Sequence, residues 1–93
     1  MATITKKQEK VDIYEKLNSP FTLILWNDEY NSFDWVIECL MRVCGHEFEQ
    51  ASQCAHLVHY TGKCDVKRGD KETISTMYKK LKGANLTVTM EEA

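Results

Sequence analysis

The residues with the most chemistry in them follow directly on an apolar run. Phe21-Thr22-Leu23-Ile24-Leu25-Trp26 ends in Asn27-Asp28-Glu29-Tyr30-Asn31-Ser32, and Phe33 and Trp35 then flank Asp34. A tight turn needs about two residues, and six polar ones stand here. Asn and Asp side chains build Asx turns and helix caps, which accounts for Asn31 and Asp34 but not for Asn27, Asp28 and Glu29 together. Carboxylate and amide oxygens beside apolar surface suit a small cation with an apolar tail, because an ammonium group has only donors to offer.

The cysteines and histidines are the second candidate set: Cys44 with His46, and Cys54 with His56 and His59. A Cys-His nucleophile needs both side chains within hydrogen-bond reach. Cys54 and His56 are two apart, so on a helix they do not face each other. Cys44, His46, Cys54 and His56 fit no structural zinc spacing, so neither an enzyme nor a metal or other cofactor is expected. Cys39, Cys44, Cys54 and Cys64 form no C-x-x-C pair and read as small apolar residues of a reduced cytosolic protein. His59 lies one residue after Val58 and four after Ala55. It therefore borders an apolar helical stripe, where its polar edge can point into a groove with an apolar floor. Arg68-Gly69-Asp70 matches a cell-adhesion tripeptide, yet turn and helix-cap chemistry explains it. Lys79, Lys80 and Lys82 complement the negative end of a helix dipole.

The elements that must position these residues follow from pattern. The chain has 93 residues, 12 basic and 14 acidic, for a net charge of -2. One domain with a small core is expected. The charge balance disfavours nucleic-acid and anionic-membrane partners, and no run is long enough to span a bilayer. The N-terminus lacks the apolar stretch of a secretory signal. Residues 1–19 run through Asn18-Ser19 up to Pro20 and read as a flexible arm, and residues 20–93 as the domain.

Phe21 to Trp26 reads as a buried strand. A first helix is expected from Ser32 to Cys44, with Asn31 as N-cap, Asp34 at the third position and Val36, Leu40 and Val43 inward. A second runs from Glu47 to Tyr60 with Phe48, Ala51, Ala55 and Val58 inward. Lys63 to Lys67 alternates as a short strand. Asp70 caps a third helix carrying Ile74, Met77, Tyr78 and Leu81 and closed by Gly83, and Leu86 to Met90 is a last strand. The order β-α-α-β-α-β predicts an α+β sandwich, a three-stranded sheet packed against three helices; strand order is not legible.

Asn27 to Leu40 (NDEYNSFDWVIECL), His56 to Lys63 (HLVHYTGK) and Leu86 to Ala93 (LTVTMEEA) resemble the ClpS family. These are small bacterial and plastid adaptors of Clp AAA+ proteases, which select substrates by the N-end rule. The resemblance runs in one register from about Pro20 to Ala93, shortened only between Gly62 and Glu72.

The resemblance implies a monomeric cytoplasmic adaptor, not an enzyme. It would bind the free hydrophobic N-terminal residue (Phe, Tyr, Trp or Leu) of N-degron polypeptides and dock on the N-terminal domain of a ClpA- or ClpC-type unfoldase. By the same carry-over Asn27, Glu29 and His59 hold the α-amine, and Asn31 contacts the substrate backbone. Phe33, Val36, Ala55, Val58 and Leu86 line the pocket. The chain departs from the family pattern at several positions: Phe33 and Ala55 stand where methionines are expected, Glu29 where aspartate is usual and Asn31 where threonine is, and Gly69 and Ile74 fall near an acid and a lysine that the family uses to touch the unfoldase. The alternative is a modulator that docks on the unfoldase without reading N-degrons.

Overall fold

The computed structural model describes residues 20–93; the expected N-terminal arm, residues 1–19, lies outside them. Phe21–Trp26 forms β1, and Leu23, Ile24 and Leu25 along it are buried. This strand has partners on both edges: β2, Lys63–Gly69, and β3, Val88–Glu92, both antiparallel to it, in the order β2-β1-β3. The most apolar strand thus takes the centre of the sheet. Three helices pack against the sheet: α1, Phe33–Cys44, α2, Phe48–Thr61, and α3, Lys71–Gly83. The element order and the α+β class are those expected from the pattern.

The core lies between sheet and helices. Leu23 and Leu25 meet Leu40 of α1, Ala51, Cys54 and Val58 of α2, Ile74 and Leu81 of α3, and Val88 of β3. Short connections hold this arrangement. Gly45 closes α1 at φ 69° and Gly62 closes α2 at φ 96°, left-handed conformations that suit glycine. β2 begins at the residue after Gly62, and the Gly62 carbonyl accepts from the Asn27 backbone N–H at 2.9 Å. Asp70 caps α3 as expected, accepting from the Thr73 N–H at 2.7 Å.

Four expectations need correction. The N-cap of α1 is Ser32, whose hydroxyl accepts from the Trp35 N–H at 3.2 Å; Asn31 and Asp34 do not form the capping box. Phe48 is 60% exposed, and the buried stripe of α2 is Ala51, Cys54, Ala55 and Val58. Phe48 is the first residue of α2, beyond the reach of the core. α3 runs through Gly83, and the left-handed residue that ends the turn is Asn85, φ 69°. Leu86 is then drawn under the helix end, its N–H donating to Leu81 O at 3.1 Å. β3 therefore starts at Val88, two residues later than the alternation suggests.

β2 contains a bulge. Leu23 pairs with Lys67 and Ile24 with Asp65, leaving Val66 without a partner in the register. A bulge leaves backbone groups unpaired. The imidazole of His46, 5% exposed in the α1–α2 connection, fills the gap by donating from Nε2 to Val66 O at 2.7 Å.

Candidate functional site

A cavity opens where β1 runs out. Leu25 and Trp26 of β1, Asn27, Asp28 and Asn31 of the following loop, Phe33 and Val36 at the start of α1, and Ala55, Val58 and His59 of α2 surround it. It encloses about 420 Å³ of empty space, counting the open solvent at its mouth. Its walls are aliphatic at Leu25, Val36, Ala55 and Val58. Its polar groups are two amides, one carboxylate and one imidazole.

The loop is shaped by Asp28. Its Oδ1 accepts from the backbone N–H groups of Tyr30 and Asn31, both at 2.9 Å. Its Oδ2 accepts from Asn31 Nδ2 at 2.8 Å and from the Thr87 hydroxyl at 2.9 Å. Burial pushes this carboxyl up, but the donors of Asn31, Tyr30 and Thr87 outweigh it and hold it below the usual aspartate range. A negative charge is thus fixed at the pocket wall with both oxygens occupied.

Asn31 extends the network, its Nδ2 also donating to Asn85 O at 2.9 Å. Trp35 Nε1 donates to Ala84 O at 3.0 Å. Loop, α1 and the α3–β3 turn are therefore one braced unit. Asn27 is pinned through its backbone to Gly62, and its exposed side-chain amide makes no hydrogen bond to a described residue.

The α2 side of the mouth is aromatic. The Phe33 ring lies 5.2 Å from each of the His56 and His59 rings, tilted against both. Tyr60 stands edge-on to His59 at 5.0 Å and stacks with His56 at 6.3 Å.

Of the residues singled out in the sequence, Asn27, Asn31, Phe33, Val36, Ala55, Val58 and His59 converge on this cavity. Two do not line it. Glu29 is exposed, and Leu86 is 4% exposed within the core cluster. The sequence reading missed Leu25, Trp26 and Asp28 in the lining, and His56 and Tyr60 beside Phe33. For Asp28 a signal existed: an aspartate two residues before a potential turn donor is an Asx-turn candidate. For His56 and Tyr60 it was their spacing of four, which places both on one helix face.

The cysteines offer no reactive thiolate. Burial pushes the Cys44 thiol up to about 11, and burial with the neighbouring Cys64 thiol pushes Cys54 higher still. A thiol with so high a pKa is a poor nucleophile at neutral pH. Among the described residues no cluster of three or more His, Cys, Asp or Glu side chains is placed to hold a metal ion, and no helix is long and apolar enough to cross a membrane.

A small α+β module with a pocket that joins apolar walls to fixed acceptors is a binding domain. Residues 16–89 match the family described as ATP-dependent Clp protease adaptor protein ClpS. Curated relatives include the ClpS adapter of Corynebacterium aurimucosum, 31% identical over 84 residues that span 90% of this chain and 76% of that one. The ClpS adapter of Corynebacterium glutamicum is 33% identical over 76 residues, 82% of this chain and 76% of that one. Among solved structures, Agrobacterium tumefaciens ClpS2 bound to L-phenylalaninamide shares the fold, with a TM-score of 0.73 at 21% identity, covering 82% of this chain and 99% of that one. The chain belongs to the ClpS family of ATP-dependent Clp protease adaptors. Its partner is accordingly a Clp protease, and its family role is that of an adaptor.

Proposed function

We propose that the pocket takes the free N-terminal hydrophobic residue (Phe, Tyr, Trp or Leu) of an N-degron polypeptide. The protein then delivers that polypeptide, as a cytoplasmic monomer, to the N-terminal domain of a ClpA- or ClpC-type AAA+ unfoldase. The observation that carries this reading is the convergence of aliphatic walls with Asn27, Asn31, His59 and an ionised Asp28 on one cavity. An N-terminal residue has the matching form, an apolar side chain next to an ammonium. The L-phenylalaninamide held by the Agrobacterium protein has that form too.

In this reading Asn27 and His59 hold the α-amine directly. Glu29, one methylene longer than aspartate, reaches the amine from outside the mouth. The four donors on Asp28 leave it to act through its field and through the loop it braces. Asn31 offers its side-chain carbonyl to the substrate backbone. Phe33, Val36, Ala55 and Val58 take the side chain, with Leu86 supporting them from the core. The adaptor binds and hands over, and no step of bond making is assigned to it.

The magnitudes are adequate. Burying one large apolar side chain contributes about 1.5–3 kcal/mol, and a hydrogen bond to a charged group about as much, roughly 1.5–3 kcal/mol. Micromolar binding, near -8 kcal/mol, follows after the ordering costs of association.

The test is a titration of a Phe-initiated peptide against its acetylated twin. The free peptide should bind at least tenfold more tightly, and Asn27→Ala or His59→Ala should remove that difference. Equal binding of the two forms sinks the reading. Unfoldase binding without any peptide binding would instead favour a modulator that docks without reading N-degrons.

A further inference from the structure

Phe33 is the first residue of α1, and the Ser32 cap fixes where that helix starts. Its ring forms part of the pocket wall and is 38% exposed. A phenyl group at such a position would be free to swing if nothing held it. Here two imidazoles pack against it, each 5.2 Å away and tilted, and one of them, His59, lines the cavity beside it.

The imidazoles are themselves braced. His56 Nδ1–H donates to Ser52 O, one turn back on α2, at 2.8 Å. This bond fixes the tautomer of His56 and stops its ring from turning. Tyr60 packs on His56 and His59 together. The wall is therefore a set of mutually oriented rings.

Aromatic rings carry a negative face and a positive edge, and they favour offset or edge-to-face partners over aliphatic ones of equal area. A wall whose rings are already oriented offers that gain to a guest ring without a new ordering cost. In the same lining, the small side chain of Ala55 leaves depth for a flat group. A branched aliphatic guest gains only its burial.

We propose that Phe33, clamped by His56 and His59, makes the pocket selective for an aromatic first residue over leucine, with His56 as the residue that positions the Phe33 ring. The proposal rests on the reading of the pocket as a site for N-terminal residues, and it narrows the ligand class that the site takes.

The experiment is fluorescence anisotropy with the full chain and four peptides that differ only in their first residue (Phe, Tyr, Trp or Leu), each also in acetylated form. The Phe peptide should bind tighter than the Leu peptide by roughly two- to tenfold. Phe33→Leu should bring that ratio close to one. His56→Ala should lower it in the same direction, and His56→Phe, which restores a ring, should recover it. A merely structural role for His56 would move all affinities together and leave the ratio alone.

Equal binding of Phe and Leu peptides to the unaltered chain overturns the proposal, as does a ratio that survives both Phe33→Leu and His56→Ala. Indifference of every peptide to acetylation brings down the broader reading of the site, and this one with it. Equal but acetylation-sensitive binding brings down this one alone. Circular dichroism on each variant separates unfolding from altered selectivity.

Discussion

Asp28 and His46 both tie a polar side chain into the packing of this domain, and they do so in opposite ways. Asp28 sits at the pocket mouth, half-buried, with four donors on its two oxygens. His46 sits inside, 5% exposed, with one ring nitrogen on Val66 O and the other, Nδ1, without a partner among the described residues. The first is a saturated charge that shapes a loop. The second is a donor that closes one defect, the β2 bulge, while its other ring nitrogen stays unmet. An unpaired buried polar atom costs about 1–3 kcal/mol, so the His46 arrangement persists only because the bulge carbonyl would otherwise be the orphan. The comparison separates two reasons for a polar residue near a core: one organises a surface that binds, the other repairs the backbone.

The largest effect should come from the repair. His46→Ala leaves Val66 O unbonded and opens a void between α1 and β2, for an expected loss of about 3 kcal/mol in urea unfolding. His46→Gln, which keeps a donor, should lose less. Peptide affinity at temperatures where the variant is folded should hardly change, since His46 does not line the pocket. A His46→Ala protein as stable as the parent would show that the bulge does not depend on the imidazole.

Asp28→Ala should be milder in stability and harsher in binding. Several of its donors are exposed and can turn to water, so about 2 kcal/mol is expected. The loop that places Asn27 and Asn31 would lose its brace, and affinity for a Phe-initiated peptide should drop by more than tenfold. The carboxyl adds a pH signature. Its folded-state pKa lies below its unfolded one, so its contribution is complete above about pH 5 and is lost as pH falls through the depressed folded value. Asp28→Asn should therefore flatten the acid limb of the stability curve relative to the parent. Identical acid limbs would mean that the four bonds do not discriminate between charge states.

The sequence showed these two residues unequally. Asp28 stood in a stretch that was plainly too polar for a turn, and yet its neighbours Asn27, Glu29 and Asn31 drew the functional assignments. A carboxylate can be acceptor, cap or counter-charge, and only the positions of Thr87 and Asn85, over fifty residues away, decide among them. His46 was weighed only as a metal ligand or catalytic partner. Its actual use follows from a bulge at Val66 that no periodicity announces, because the alternation from Lys63 to Lys67 runs through it. The elements, by contrast, were legible nearly to their ends, since the apolar spacing of α1, α3 and β1 is local. The misplacements were at boundaries where tertiary contact wins, such as Leu86 leaving the strand for the core. The pocket walls on β1 were missed for the same reason: Leu25 looks like any buried strand residue until the chain beyond it turns away.

The smallest expected effect sharpens the division between structural and binding roles inside the loop itself. Asn31 and Ser32 are adjacent, both polar, and either one suits the helix start by residue type. The structure gives the cap to Ser32 and the Asp28–Asn85 bridge to Asn31. Ser32→Ala should then cost about 1 kcal/mol of stability and shift peptide affinity less than twofold, because an exposed cap can be replaced by water at the first turn. Asn31→Ala should cost a similar amount, about 1 kcal/mol for bonds made partly at the surface, yet weaken peptide binding clearly, since it unties the loop from the α3–β3 turn and removes an amide from the pocket. Two neighbouring substitutions of like stability cost and unlike binding cost, measured by thermal unfolding and peptide titration on the same samples, would show that Asn31 belongs to the binding surface and Ser32 to its scaffold. Matching losses of affinity would show instead that the Ser32 cap sets the position of Phe33 as firmly as the Asn31 bonds set the loop.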